Sequence, residues 1–75
     1  MSENPGQRAM RLQAINRKAL DRIRQSLIDE GKEGYYVLMQ DGKNMGVFTT
    51  LQDAETAMGL LDPDPEPMPL PVSRN

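Results

Sequence analysis

The side chains that most often carry enzyme chemistry are missing from this chain, which holds no histidine and no cysteine. That excludes imidazole acid-base work, thiol nucleophiles, thiolate or imidazole zinc sites, and disulfides. What remains is eleven carboxylates and nine cations. The carboxylates fall in turns and toward the C-terminus, where burial cannot tune them for proton transfer. No glycine-rich phosphate loop precedes a lysine. Asp41, Gly42, Lys43 and Asn44 open like a calcium loop, but no glutamate stands at the closing position of the twelve-residue pattern. The expectation is a protein that binds without reacting: not an enzyme, with no cofactor and no metal.

The cations are more informative, because they are segregated along the chain. Arg8, Arg11, Arg17, Lys18, Arg22 and Arg24 are opposed only by Glu3 and Asp21 up to residue 28. Beyond it, Lys32, Lys43 and Arg74 are outnumbered by nine carboxylates, so the formal net charge of -2 conceals a charge dipole. Arginine pairs in bidentate fashion with carboxylate or phosphate. A row of arginines therefore suits an acidic protein surface or a nucleic-acid backbone, beside the plain reading of a solvated helix face.

The element carrying those cations is a helix expected over residues 7–30, with Leu12, Ile15, Ala19, Leu20, Ile23 and Leu27 at helical spacing. At 100° per residue they form a stripe roughly 140° wide. Gly31 is suited to the left-handed position after the helix. The cations flank the stripe, and most lie toward the helix N-terminus, while Asp29 and Glu30 close it. That order opposes the macrodipole at both ends, so stability alone would choose the reverse.

A β-hairpin follows, with strands expected at 35–40 and 45–49 and a loop at 41–44. If Gln40 pairs with Met45, then Tyr35, Val37, Met39 and Phe48 share one face, and Tyr36, Leu38, Met45 and Val47 share the other. All three aromatic residues lie here, and both faces are apolar. Such a ribbon must be covered twice, by two helices or by one helix and a partner. Each strand also offers an unpaired edge to a strand from another protein. Tyr36, Leu38, Met45 and Val47 are the candidate apolar contact face, and the six helix cations complete the candidate site.

Thr50 and Asp53 have the spacing of an N-terminal cap, and Leu51, Ala54, Ala57, Met58 and Leu61 place a second helix over 51–61. Residues 62–71 read DPDPEPMPLP, with a proline at every second position. Proline removes backbone donors and restricts its neighbour, so residues 62–75 are expected to form an acidic disordered tail that contributes nothing to folding. Residues 1–6 are expected to be a disordered lead-in. The fold class is thus α+β: one small domain over 7–61, a two-stranded antiparallel hairpin with an N-terminal and a C-terminal helix. No run approaches the length of a membrane span and no apolar signal core is present, so no membrane contact and a cytoplasmic location are expected.

Two resemblances follow from these residues. The string GVFTTLQDAETAM is similar to the strand-to-helix ending of small sheet-plus-helix DNA-binding domains such as the arm-binding domains of tyrosine integrases, although a third strand and a basic sheet are missing. The layout as a whole, a basic helix, one hairpin, a second helix and an acidic tail in a short chain, resembles the small bacteriophage proteins that bind host RNA polymerase. That resemblance implies a regulator acting in the bacterial cytoplasm, which inhibits transcription initiation and promotes antitermination. It implies as partner the polymerase, at the N-terminal region of the β′ subunit near the RNA exit channel, with nascent RNA close by. The alternatives are a direct nucleic-acid-binding module using the basic helix, and an inhibitor of a host defence enzyme that mimics nucleic acid with its acidic half.

Overall fold

A computed structural model describes residues 4–74, in the order α1 (Pro5–Asp29), β1 (Tyr36–Gln40), β2 (Lys43–Phe48), α2 (Leu51–Met58) and β3 (Met68–Pro71). The α+β class and the hairpin stand as read from the sequence, with one strand added to the sheet. Strand order is β2-β1-β3, with β1 antiparallel to both neighbours.

Helix α1 starts earlier than its apolar period suggests. Asn4 caps it, its side-chain oxygen accepting the Gln7 amide at 2.8 Å while the Gln7 side chain accepts the Asn4 amide at 3.4 Å, and Pro5 takes the first helical position. Residues 4–6 are therefore the start of the helix and not a disordered lead-in; residues 1–3 lie outside the described residues. At the other end Gly31 adopts φ +81, the Gly31 amide donates to Ile28 O at 3.0 Å, and the Lys32 amide donates to Leu27 O at 2.9 Å. That pair of bonds is a Schellman stop, and it turns the chain back toward the sheet.

The hairpin turn is tighter than expected. Asp41 and Gly42 both have positive φ, 51 and 78, so two residues make the turn and Lys43 and Asn44 belong to β2. Gly42 is required by its surroundings as well as by φ, since a Cβ there would sit 3.1 Å from Ile15 Cγ2. Its amide donates to Asn16 Oδ1 at 2.7 Å, which fastens the turn to the middle of α1. Asn16 is fully buried.

The register corrects the expected faces. Tyr36 pairs with Phe48, Val37 with Val47 and Leu38 with Gly46, and then a bulge shifts the pairing to Met39 with Asn44. The extra residue in β2 reverses its side-chain alternation relative to a hairpin built on Gln40 and Met45. Val47 therefore joins Val37 and Met39 on the α1 face, while Phe48 joins Tyr36 and Leu38 on the other. The first face packs with Leu20, Leu27, Leu70 and Val72 into the main core, bordered by Ala19, Ile23, Tyr35 and Met68. The second face is covered by α2, which carries the inaccessible Ala54 over the equally inaccessible Leu38. Helix α2 ends at Met58, three residues short of its expected end, and Thr50 caps it by accepting the Asp53 amide at 3.1 Å.

The segment expected to be a disordered tail is instead the third strand. The Val72 amide donates to Tyr35 O at 2.8 Å, and Val72 O accepts the Gly34 amide at 2.7 Å. Because donor direction alternates along a strand, the amides of Leu70 and Met68 point the same way as that of Val72, toward β1. Pro69 and Pro71 then occupy the positions whose nitrogens face away from the sheet, where no donor is needed. Alternating proline is thus compatible with an edge strand, and it sets Met68, Leu70 and Val72 on the α1 face, with Leu70 buried and Val72 fully so.

Candidate functional site

The tertiary structure sorts the six cations of α1 into different roles. Arg8 is ion-paired with Asp64, and Arg24 with Asp21 one turn away. Arg17, Lys18 and Arg22 are exposed and make no ion pair among the described residues. Helical spacing divides them further. Arg11, Lys18 and Arg22 fall within about 40° of one another on one flank, and Arg17 lies with Arg24 on the opposite flank.

Each flank overlooks one edge of the sheet. A shallow cleft of about 180 Å³ is lined by Ile15, Lys18, Ala19, Arg22 and Gly42, which puts the Lys18 and Arg22 flank beside the hairpin turn that leads into β2. A second cleft, of about 130 Å³, is lined by Arg17, Leu20, Arg24, Leu70, Pro71 and Ser73 on the β3 side.

The apolar half of the expected site does not assemble. Leu38 is wholly inaccessible beneath α2, and Val47 packs half-buried in the α1 core, so both belong to the interior. Tyr36 is half-buried on the α2 face. Met45, displaced by the bulge, is the one member of the quartet left exposed, at 41%. Of the two ways of covering the hairpin, by two helices or by one helix and a partner, the chain uses the first.

The backbone of β2 is another matter. In the β1 ladder Tyr35 points toward β3, so Tyr36 and Leu38 point toward β2 and meet Phe48 and Gly46. Val47, between them, directs its amide and carbonyl away from the sheet. The outer side of β2 is therefore an open edge, running past Met45 and Lys43 to the turn. At β3 the corresponding outward donors are absent, because Pro69 and Pro71 stand there.

The acidic segment is also placed. Gln40 donates from Nε2 to the carbonyls of Asp62 and Pro65, at 2.6 and 2.8 Å, and so holds residues 62–65 at the end of β1. From there the segment passes the first half of α1, forming with Pro5, Arg8, Ala9 and Leu12 a cleft closed by Pro63, Asp64 and Glu66. Part of the α1 charge is thereby answered within the chain, a pairing that residues 56 apart in sequence give no local sign of. The one sequence signal for β3 was the alternation of Met68, Leu70 and Val72, masked by the prolines between them.

Among the described residues no group of three carboxylates lies close enough to hold a metal ion, and no helix is long and apolar enough to cross a membrane. No family model, curated protein or solved structure matches the chain.

Proposed function

We propose that this chain is a non-catalytic regulator that binds a larger protein through the Lys18 and Arg22 flank of α1 and the adjoining edge of β2. The observation that carries the reading is the uneven use of charge. Arg8 and Arg24 have acidic partners inside the fold, whereas Arg17, Lys18 and Arg22 have none among the described residues. Arg17, Lys18 and Arg22 stand in the interior of α1, away from the terminal turns where the macrodipole acts, so no favourable dipole interaction accounts for them.

The partner to test first is bacterial RNA polymerase, named by the resemblance of the layout to phage polymerase-binding proteins. On that reading the chain grips the polymerase near the RNA exit channel, inhibits initiation and favours antitermination by hindering the terminator hairpin. An acidic protein surface is a better target than an extended polyanion, because Asp62, Asp64 and Glu66 would oppose nucleic acid lying along the molecule.

The test is retention of polymerase subunits from bacterial lysate on the immobilised chain, before and after nuclease treatment. It is followed by initiation and terminator read-through assays with purified polymerase. Nuclease-resistant retention, lost when Lys18 and Arg22 are both changed to Gln, is the expected result. Retention that disappears with nuclease would replace this reading with a nucleic-acid-binding module. A double variant that still binds and regulates polymerase normally would remove the cationic flank from the mechanism.

A further inference from the structure

We infer that β2 accepts an extended acidic segment of the partner protein as a fourth strand, with carboxylates at alternate positions seated on Lys18 and Arg22. This inference rests on reading the chain as a protein-binding regulator and specifies how that binding is made.

The argument begins with the two edges. A strand can be added only where backbone donors and acceptors face outward. At β3 the outward nitrogens belong to Pro69 and Pro71, which have no hydrogen to donate. At β2 the amide and carbonyl of Val47 face outward, and Lys43, Asn44 and Met45 alongside are exposed. The sheet can therefore grow at one edge and not at the other.

Helix α1 then decides which side chains such a strand should carry. Its middle is fastened to the hairpin turn through Asn16 and Gly42, and its C-terminal end packs near Tyr35, so it runs alongside β1 and β2. Lys18 and Arg22 share a cleft with Ile15, Ala19 and Gly42, at the turn from which β2 departs. Four helical residues rise about 6 Å, close to the roughly 6.7 Å between alternate residues on a strand. Every second side chain of an added strand would face α1, so two carboxylates two residues apart would meet Lys18 and Arg22 in register.

The chain contains an intramolecular precedent for this chemistry. Asp62, Asp64 and Glu66 lie in a bent segment beside the first half of α1, and Asp64 is paired there to Arg8, so a cation of this helix already takes a carboxylate from a non-helical stretch of chain. Its prolines keep it from pairing as a strand at that point. An acidic segment with its amides intact has both the charge match and the ladder available at β2.

The probe is a fluorescent decapeptide of alternating glutamate and valine, titrated by anisotropy against the full chain. Two further forms are used, each N-methylated on one of the two alternate sets of backbone amides. One methylated form should bind like the parent and the other at least about tenfold more weakly, because only one set of amides faces the β2 edge. Saturating peptide should slow hydrogen exchange at the Val47 amide. Changing Lys18 and Arg22 together to Gln should weaken the parent peptide by about tenfold or more without lowering the melting temperature.

Equal effects of the two methylation patterns would overturn strand addition, as would absence of binding near millimolar peptide or tighter binding of a short RNA oligonucleotide. If polymerase is retained by the chain while the peptide is ignored, strand addition fails and the regulator reading survives. If the peptide binds as described and polymerase does not, strand addition holds and the polymerase reading falls.

Discussion

The two outer strands of the sheet solve the same problem in opposite ways. An edge strand exposes a row of unpaired backbone groups that invites unwanted pairing. In β3 the exposed donors are deleted by Pro69 and Pro71, while Leu70 and Val72 anchor the strand in the core. In β2 the donors are kept, the strand is bulged at Met45, and its inward side chain Val47 is only half-buried. One edge is closed and firmly held; the other is open and lightly held. Reserving open backbone for one side restricts sheet extension to the β2 edge.

The contrast can be tested by removing the closed edge altogether. Truncation after Asp62 deletes β3 and exposes Val37 and Met39 along with an unpaired side of β1. Burial of Leu70 and Val72 alone contributes about 3–6 kcal/mol, against a total stability of roughly 4–11 kcal/mol for a domain of this length. The truncated chain should lose its cooperative thermal transition, read by circular dichroism. An unchanged melting temperature, as expected for a disordered tail, would mean that β3 is not part of the stable fold.

Single substitutions should rank the edges in the same order. Leu70→Ala should cost about 2–4 kcal/mol in denaturant titrations, and Val47→Ala about 1 kcal/mol, because the first empties a buried site and the second a half-buried one. If Val47→Ala proves the costlier, the open edge is not the lightly held one.

Exchanging Pro69 and Pro71 for Val reopens the closed edge. Stability should move by no more than about 1 kcal/mol, since the restored amides point to solvent and the main loss is the proline restriction of the unfolded chain. Self-association should rise with concentration in analytical ultracentrifugation. A variant that stays monomeric at every concentration would show that the prolines do not guard the edge.

The smallest effect belongs to the ion pair that ties the acidic segment to α1. Arg8→Gln or Asp64→Asn should change stability by about 0–1 kcal/mol, and the difference should shrink in high salt, because both side chains are largely exposed. A larger loss would make the acidic segment a structural clamp on the basic helix.

The features legible in the sequence are those set by neighbours a few residues apart. The period of α1, the Gly31 stop and the Thr50 cap are all local, and each formed where its spacing placed it, while the hairpin turn expected over 41–44 closed on Asp41 and Gly42 alone. The Asn4 cap was equally local; Asn4, Pro5 and Gln7 carry its signal although polar composition suggested a lead-in. The segregation of the cations onto α1 was legible too, because a helix converts sequence spacing directly into angle.

What the tertiary structure settled depends on pairings between distant residues. Proline at every second position forbids a ladder on one side of a strand and leaves the other side intact, so residues 68–71 could join a sheet only if their single neighbour lay on the permitted side. Nothing near them in sequence specifies that β1 does. One bulged residue in β2 exchanged the faces of Val47 and Phe48 across the sheet, and the packing of α2 on the Tyr36 and Leu38 face put Leu38 in the interior. That Arg8 finds an acid at Asp64 was decided by where residues 62–66 cross α1, whereas the Arg24 pair with Asp21 is local to the helix. Local spacing determines what a segment can form; the choice among permitted pairings is made by long-range packing, where burying Leu70 and Val72 outweighs the order imposed on a proline-rich chain.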